Sequence, residues 1–239
     1  MVIGWAAIGL ATPTTTYWTP MTVDIQPYGV AHVGVDNYFT VFRTADDGGG
    51  SFPTDLGLTV GLLPFRNVVA EAGVDLLESS NDPLYFNAKI GIPEAVLFDG
   101  APCVYVGVCN AGTRKNVTDQ NVFYAAIGKT LPGIGRLSAG PYVGNRRVLV
   151  NRHGDRDNTG FMVACDRSFM PVKDAAGNEF SRWVVAADYA SGDNAFGGGG
   201  FGVTYFLSKD IGVLTGPVWF NDDAINGAWK WTIQLDINL

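Results

Sequence analysis

From Trp229 to Leu239 the chain alternates without a break: Trp229, Trp231, Ile233, Leu235, Ile237 and Leu239 fall on one side of an extended strand, and Lys230, Thr232, Gln234, Asp236 and Asn238 on the other. A helix would scatter these residues around its circumference, because its side chains repeat every ~3.6 residues rather than every two. A strand that crosses a bilayer takes about 9–11 residues, so the run is long enough to span hydrocarbon as well as patterned for it.

The same period recurs upstream. Leu56, Leu58, Val60 and Leu62 oppose Asp55, Gly57, Thr59 and Gly61. Leu84, Phe86, Ala88, Ile90 and Ile92 oppose Tyr85, Asn87, Lys89 and Gly91, and Val104, Val106 and Val108 oppose Cys103, Tyr105, Gly107 and Cys109. Trp183, Val185, Ala187 and Tyr189 oppose Arg182, Val184, Ala186 and Asp188; Phe201, Val203, Tyr205 and Leu207 oppose Gly200, Gly202, Thr204 and Phe206. A soluble sandwich would carry abundant Lys and Glu on its second face. Here that face is rich in Gly, Ser, Thr and Asn, as the lumen of a barrel would be.

Composition narrows the classes further. Of 239 residues, 47% are apolar and only 16% charged, which excludes a disordered chain. The 31 glycines show no G-X-Y period, so they mark turns and close approaches rather than collagen. Mean hydropathy is +0.13, yet no internal segment approaches the ~20 consecutive apolar residues of a spanning helix. A net charge of −7 argues against generic nucleic-acid binding.

The alternation predicts an all-β fold, a closed antiparallel up-and-down transmembrane barrel of twelve strands: 28–42, 55–63, 68–77, 84–92, 102–109, 121–130, 136–144, 158–166, 181–190, 200–207, 211–220 and 229–239. Closure is required because backbone groups in hydrocarbon must all be paired, and an open sheet would leave two bare edges. Short connections at Pro64–Asn67, Leu131–Gly135 and Ser208–Asp210 alternate with long ones at Arg43–Thr54, Asn110–Gln120 and Asn145–Asp157. Pro93–Ala101 and Arg167–Ser181 are longer than that alternation expects and could hold a small helix or a strand extension.

Residues 1–27 are expected to stand apart from the barrel domain, 28–239. The first 23 residues carry no charge, and Val2–Leu10 resemble the apolar core of a signal peptide, followed by small residues at Gly9 and Ala11 but lacking a basic start. Two readings stay open: a signal remnant or a packed extension. The three cysteines form no C-x-x-C pair. Cys103 and Cys109 on one strand would sit about 20 Å apart and cannot bond to each other, so free structural thiols are expected there and at Cys165.

The stretches VDIQPYGVAHVGVDNYFTVF (23–42), TDLGLTVGLLPF (54–65), DPLYFNAKIGIPE (82–94), GRLSAGPYVGN (135–145) and ADYASGDNAFGGGGFGVTYFLSKDIGVLTGPVWF (187–220), with the ending LDINL, resemble an uncharacterised porin-like family of outer-membrane β-barrels from Gram-negative bacteria, metal-reducing and related anaerobic lineages in particular. The resemblance covers most of the chain after residue 20. It implies a bacterial outer-membrane location, a barrel fold and a porin-like role. The chain departs from the usual pattern of such barrels in ending on Leu239 rather than Phe or Trp.

Chemistry-bearing constellations are sparse. Only two histidines are present. His32 shares its predicted strand face with Tyr28, Gly34, Asp36 and Tyr38, and a His32/Asp36 pair could bind an ion or titrate; a hydrogen-bonded lumen histidine is the plainer reading. His153 sits among Arg146, Arg147, Arg152, Asp155, Arg156 and Asp157, which could dock lipopolysaccharide phosphates or steer anions, or simply form a solvated loop. Gly197–Gly200 lacks the Gly-Lys-Ser/Thr of a phosphate loop and reads as a flexible connection. Asp222, Asp223 and Asn226, or Asp46 and Asp47, match no defined calcium loop. No catalytic motif, metal set or cofactor-binding motif is expected.

The predicted lumen face collects Glu71, Asp75, Lys89, Arg136, Asp166, Arg182, Asp188, Lys230 and Asp236. Such charges must be paired or wetted, so the interior is either a narrow channel for small polar solutes or ions, or a plugged, salt-bridged barrel. A barrel of this size falls between the ~8 strands that side chains can fill and the 16–18 that leave a wide pore. Trp183, Tyr189, Trp219, Trp229 and Trp231 are expected to form the aromatic girdles at the bilayer boundaries; packed in one interior core they would instead indicate a soluble sandwich. The expected partners are membrane lipid and lipopolysaccharide. A partner protein that binds the N-terminal segment and external loops, or a second copy of the chain, is the competing role.

Overall fold

The computed structural model describes residues 16–44, 46 and 48–239. Twelve strands follow one another: β1 Ala31–Phe39, β2 Thr54–Gly61, β3 Val69–Glu78, β4 Leu84–Ile92, β5 Cys103–Gly112, β6 Asp119–Leu131, β7 Gly135–Val143, β8 Thr159–Lys173, β9 Glu179–Ala190, β10 Gly198–Ser208, β11 Ile211–Phe220 and β12 Lys230–Asn238. Each pairs with the next, antiparallel, and β12 returns to β1 in a register that runs from His32 opposite Asn238 to Phe39 opposite Trp231. The sheet is therefore a closed barrel with no free edge along its wall.

The two faces are inverted relative to a protein in water. Leu56, Leu58, Phe86, Val106, Phe123, Ile127, Phe161, Phe201 and Ile233 are exposed on the outer wall, whereas Thr59, Glu71, Lys89, Asp188, Gln234 and Asp236 are buried inside. In water that arrangement would expose apolar area at about 25 cal/mol per Å² and bury charge as well. It is stable when the medium outside the wall is hydrocarbon. No described helix is long and apolar enough to cross a membrane, so the crossing elements are the strands.

One rim, here the upper, carries the connections 40–53, 79–83, 113–118, 144–158, 191–197 and 221–229. The lower rim carries 62–68, 93–102, 132–134, 174–178 and 209–210. The 221–229 connection holds the single turn of helix α1, Asp223–Asn226, where the Asp222 side chain accepts the Ala224 N–H.

Of the two readings open for Arg167–Ser181, a small helix or a strand extension, the second is found: β8 and β9 pair on from Arg167 opposite Val185 to Lys173 opposite Glu179, leaving a turn at 174–178. Polar and apolar residues mix there because β8 has outrun β7, whose pairing with it stops at Asp166. The strand read as 28–42 is only Ala31–Phe39. Gly29 turns the chain at φ +77°, and Tyr28 makes only an isolated bridge to Gly61. Gly198–Gly200 belong to β10 and are buried, not a flexible loop. Pro93–Ala101 holds neither helix nor strand but turns closed by Ala95 N–H on Ala101 O. All three cysteines are free; Cys103 and Cys109 share β5, and Cys165 is exposed on the outer wall.

Candidate functional site

The lumen is occupied by the chain itself. Residues 16–27 form no regular element, yet Tyr17, Thr19, Met21, Thr22 and Gln26 are buried. At the lower end, Gln26 N–H donates to Glu71 Oε2 at 2.7 Å. Lys89 Nζ lies 3.3 Å from Glu71 Oε1 and donates to the carbonyls of Thr22 and Asp24 at 3.3 and 2.8 Å. Arg136 then grips Asp24 with both terminal nitrogens at 2.6 Å, while its Nε donates to Asp166 at 3.0 Å. Forked guanidinium–carboxylate pairs of this kind fix orientation as well as charge.

Midway, Tyr105 Oη and Ser138 Oγ both donate to Met21 O, at 3.1 and 2.6 Å. At the upper end Asp188 Oδ2 accepts three successive backbone N–H groups, from Tyr17, Trp18 and Thr19, at 3.0, 2.8 and 2.7 Å. It also accepts the Thr19 hydroxyl, and Asp188 Oδ1 accepts Gly200 N–H. Trp18 Nε1 donates to Phe196 O at 2.8 Å, and its ring packs against Tyr38, Phe52 and Phe220 beneath the upper rim. The segment thus runs the height of the lumen.

Missing side chains on the wall make room for it. A Cβ at Gly61 would lie 2.0 Å from Pro27 O, at Gly128 2.3 Å from Val23 Cγ1, and at Gly200 2.9 Å from Tyr17 Cβ. Gly61, Gly128 and Gly200 therefore form part of the seat for this segment.

Glu71, Lys89, Arg136, Asp166 and Asp188 meet around the segment as just described, and the other residues assigned to the lumen serve elsewhere. Asp75 accepts Asn87 Nδ2 at 2.8 Å. Arg182 donates to the carbonyls of Phe206 and Leu207, and its guanidinium lies over the rings of Phe180 and Tyr205. Lys230 is buried with its ammonium 4.5 Å above the Phe52 ring. Asp236 lies 3.2 Å from His32 Nε2, and His32 Nδ1 is 2.9 Å from Asn238 Oδ1. His32 is thus hydrogen-bonded inside the lumen, and its carboxylate partner is Asp236 rather than Asp36, because closure of β1 on β12 brings that residue close from the other end of the chain.

Trp183 stands toward the lower end of β9, its ring centroid 4.5 Å from that of Tyr205 with the planes tilted by 57°. Tyr189, Trp219, Trp229 and Trp231 stand toward the upper rim, Tyr189 beside Phe161, Trp219 beside Phe201, and Trp231 with its indole N–H on Thr215 Oγ1. Trp183, Trp219 and Trp229 are exposed on the outer wall.

In the upper-rim connections, Arg152 pairs with Asp222 at 2.5 and 2.8 Å. That contact, with the Ala224 amide, holds the Asp222 carboxyl below the ordinary aspartate range. Asp47 and residues 1–11 lie outside the described residues. Asp24 is a lumen residue that the sequence reading passed over; Asp36 and Asp55 were placed on the non-lipid faces of their strands but left out of the predicted lumen charges.

The chain matches no sequence-family model and no curated protein. Its fold is similar to that of an outer-membrane channel from Pseudomonas putida F1, with a TM-score of 0.50 at 11% identity over 91% of this chain and 99% of that one. It is also similar to the NanC porin, with a TM-score of 0.53 at 12% identity over 87% of this chain and 98% of that one. The chain therefore shares the barrel fold of outer-membrane channels and porins.

Proposed function

We propose that this protein is a porin-like barrel of the bacterial outer membrane that passes small polar solutes or ions passively, through a lumen that its own residues 16–27 hold narrow. The observation that carries the reading is a closed barrel with an apolar outer wall around a polar interior. The likeness in fold to outer-membrane channels supports it. By the rule that long connections face outward, the upper rim is extracellular. Arg146 and Arg147, exposed on the 144–158 connection, suit contact with lipopolysaccharide phosphates.

The segment is held by Asp188, whose one carboxylate oxygen accepts three consecutive amides. Single-channel recording in a planar bilayer tests the reading. The wild-type barrel should conduct weakly, and Asp188→Ala should conduct several-fold more as the upper half of the segment loosens. Silence from both proteins, each folded, would sink it. In the competing role, a barrel whose N-terminal segment and external connections bind a partner protein, residues 16–27 are engaged inside their own barrel.

A further inference from the structure

The outer wall carries a groove of about 730 Å³ across β6 to β9, bordered by Leu137, Ala139, Val163, Cys165, Ala187 and Tyr189. The register forms it. Cys165 stands opposite Leu137 on one side and Ala187 on the other, and Val163 stands opposite Ala139 and Tyr189. The small side chains of Ala139, Cys165 and Ala187 therefore run diagonally between bulkier ones, and the wall is low along that line. In hydrocarbon such a hollow gains nothing from expelling water; its lining gains contact only from something that fits into it.

Shape separates the candidate occupants. A second copy of the chain related by a two-fold axis would set the same hollow against itself and leave a void between the walls. A flexible hydrocarbon chain follows the hollow and fills it.

Charge at the lower end of the groove supplies the rest of the ligand. Three basic residues of the strands have outward parity: Lys129, Arg167 and Lys173. Lys129 pairs with Glu94 at 2.7 Å and Lys173 with Glu179 at 2.9 Å. Arg167 has no carboxylate partner among the described residues, and its guanidinium lies 5.1 Å from the Phe169 ring centroid. It is exposed two residues below Cys165 on the same face, a rise of about 6.6 Å along the strand. One row lower stand Phe169, Trp183 and Tyr205, and Trp and Tyr are the residues that favour the boundary between headgroups and acyl chains. An arginine on a lipid-facing wall is costly unless it reaches an anion, and its planar fork matches a phosphate.

We propose that this groove is a binding site for one glycerophospholipid, with an acyl chain laid along Ala139, Cys165 and Ala187 and the phosphate held by Arg167. The apolar contact follows from the wall itself. The choice of phospholipid over lipopolysaccharide rests on the channel reading, which turns the upper rim outward and this lower end away from lipopolysaccharide. Native mass spectrometry of the full chain, released from detergent micelles containing added phosphatidylglycerol, tests the site. Wild type should retain one lipid, Arg167→Gln should bind it at least ten-fold more weakly, and Ala187→Trp, which fills the groove, several-fold more weakly. Arg167→Gln strands no carboxylate, so the barrel stays folded, which circular dichroism checks. No lipid retained by wild type, or equal retention by Arg167→Gln, would overturn the site. So would a Cys165 disulfide joining two copies in oxidised vesicles, because a second copy would then cover the groove. Tighter binding of lipid A than of phosphatidylglycerol would overturn the choice of lipid. Lipid retention by a barrel silent in bilayers would refute conduction alone; conductance without retained lipid would refute this site alone.

Discussion

Gly128 shows how much of this protein is decided by single atoms. A Cβ there would come within 2.3 Å of Val23 Cγ1 and 2.9 Å of Cys103 Sγ, so wall and segment cannot both keep their places. Gly128→Val should push the segment away at a cost of about 1–3 kcal/mol, the usual range for overpacking. Hydrogen exchange at the backbone amides of 21–25 should then accelerate; unchanged exchange would show that the segment is not seated on this glycine. Asp222 offers a second test at this scale. Its carboxyl is depressed chiefly by the hydrogen bond from Arg152. The folded state therefore gains stability from it above the unfolded aspartate value of about 3.9, and loses that gain as pH falls through the lower folded value. Melting temperature followed from pH 6 to pH 2 should fall more steeply for wild type than for Asp222→Asn, and parallel curves would contradict the assignment.

Among the elements, the strands separate two solvents. Val106 sits within β5, is 50% exposed, and faces away from the lumen. In water an arginine at a half-exposed valine would change stability by no more than about 0.5 kcal/mol. Facing hydrocarbon near the midplane it should cost about 2–4 kcal/mol. Urea unfolding of Val106→Arg in lipid vesicles distinguishes the two, and a near-neutral result would mean that this wall does not face lipid. The strand pattern itself was readable at Trp229–Leu239, where one register places every apolar residue outside, and the observed strand, Lys230–Asn238, keeps that parity. At Arg167–Ser181 it left a helix and a strand extension both open, and β8 and β9 pair with each other there beyond the end of β7. Two strands projecting past the rim no longer have lipid on one face and lumen on the other, so the period that announces a strand fades.

At the scale of the whole molecule, barrel and segment are one ionic structure. Lys89 and Glu71 are each 1% exposed and hold opposite sides of the same contact, with the segment's carbonyls and amide on them. Lys89→Met would strand a buried carboxylate and should cost about 3–5 kcal/mol, whereas Lys89→Met/Glu71→Gln should recover most of that loss. A double-mutant cycle by chemical unfolding measures it; additive losses would mean that the two charges act independently. This coupling explains why the lumen charges were legible as a list but not as a site. Parity along each strand assigns Lys89, Arg136 and Asp188 to the interior, but Asp24, in a segment with no period, carries no such mark.

What the sequence determined alone is everything that depends on neighbours a few residues apart: extended strands, their lipid and lumen faces, the turns between most of them, and hence a closed barrel. Alternation is local, and the need to pair every backbone group in hydrocarbon converts it into closure without further information. Only the tertiary structure decided what fills that barrel. Asp188 meets the amides of Tyr17–Thr19 across more than 160 residues of chain, and His32 finds Asp236 only once β1 has closed on β12. Those partners are chosen by position in space, where a glycine's missing Cβ and a carboxylate's free oxygen count, and no periodicity along the chain encodes them.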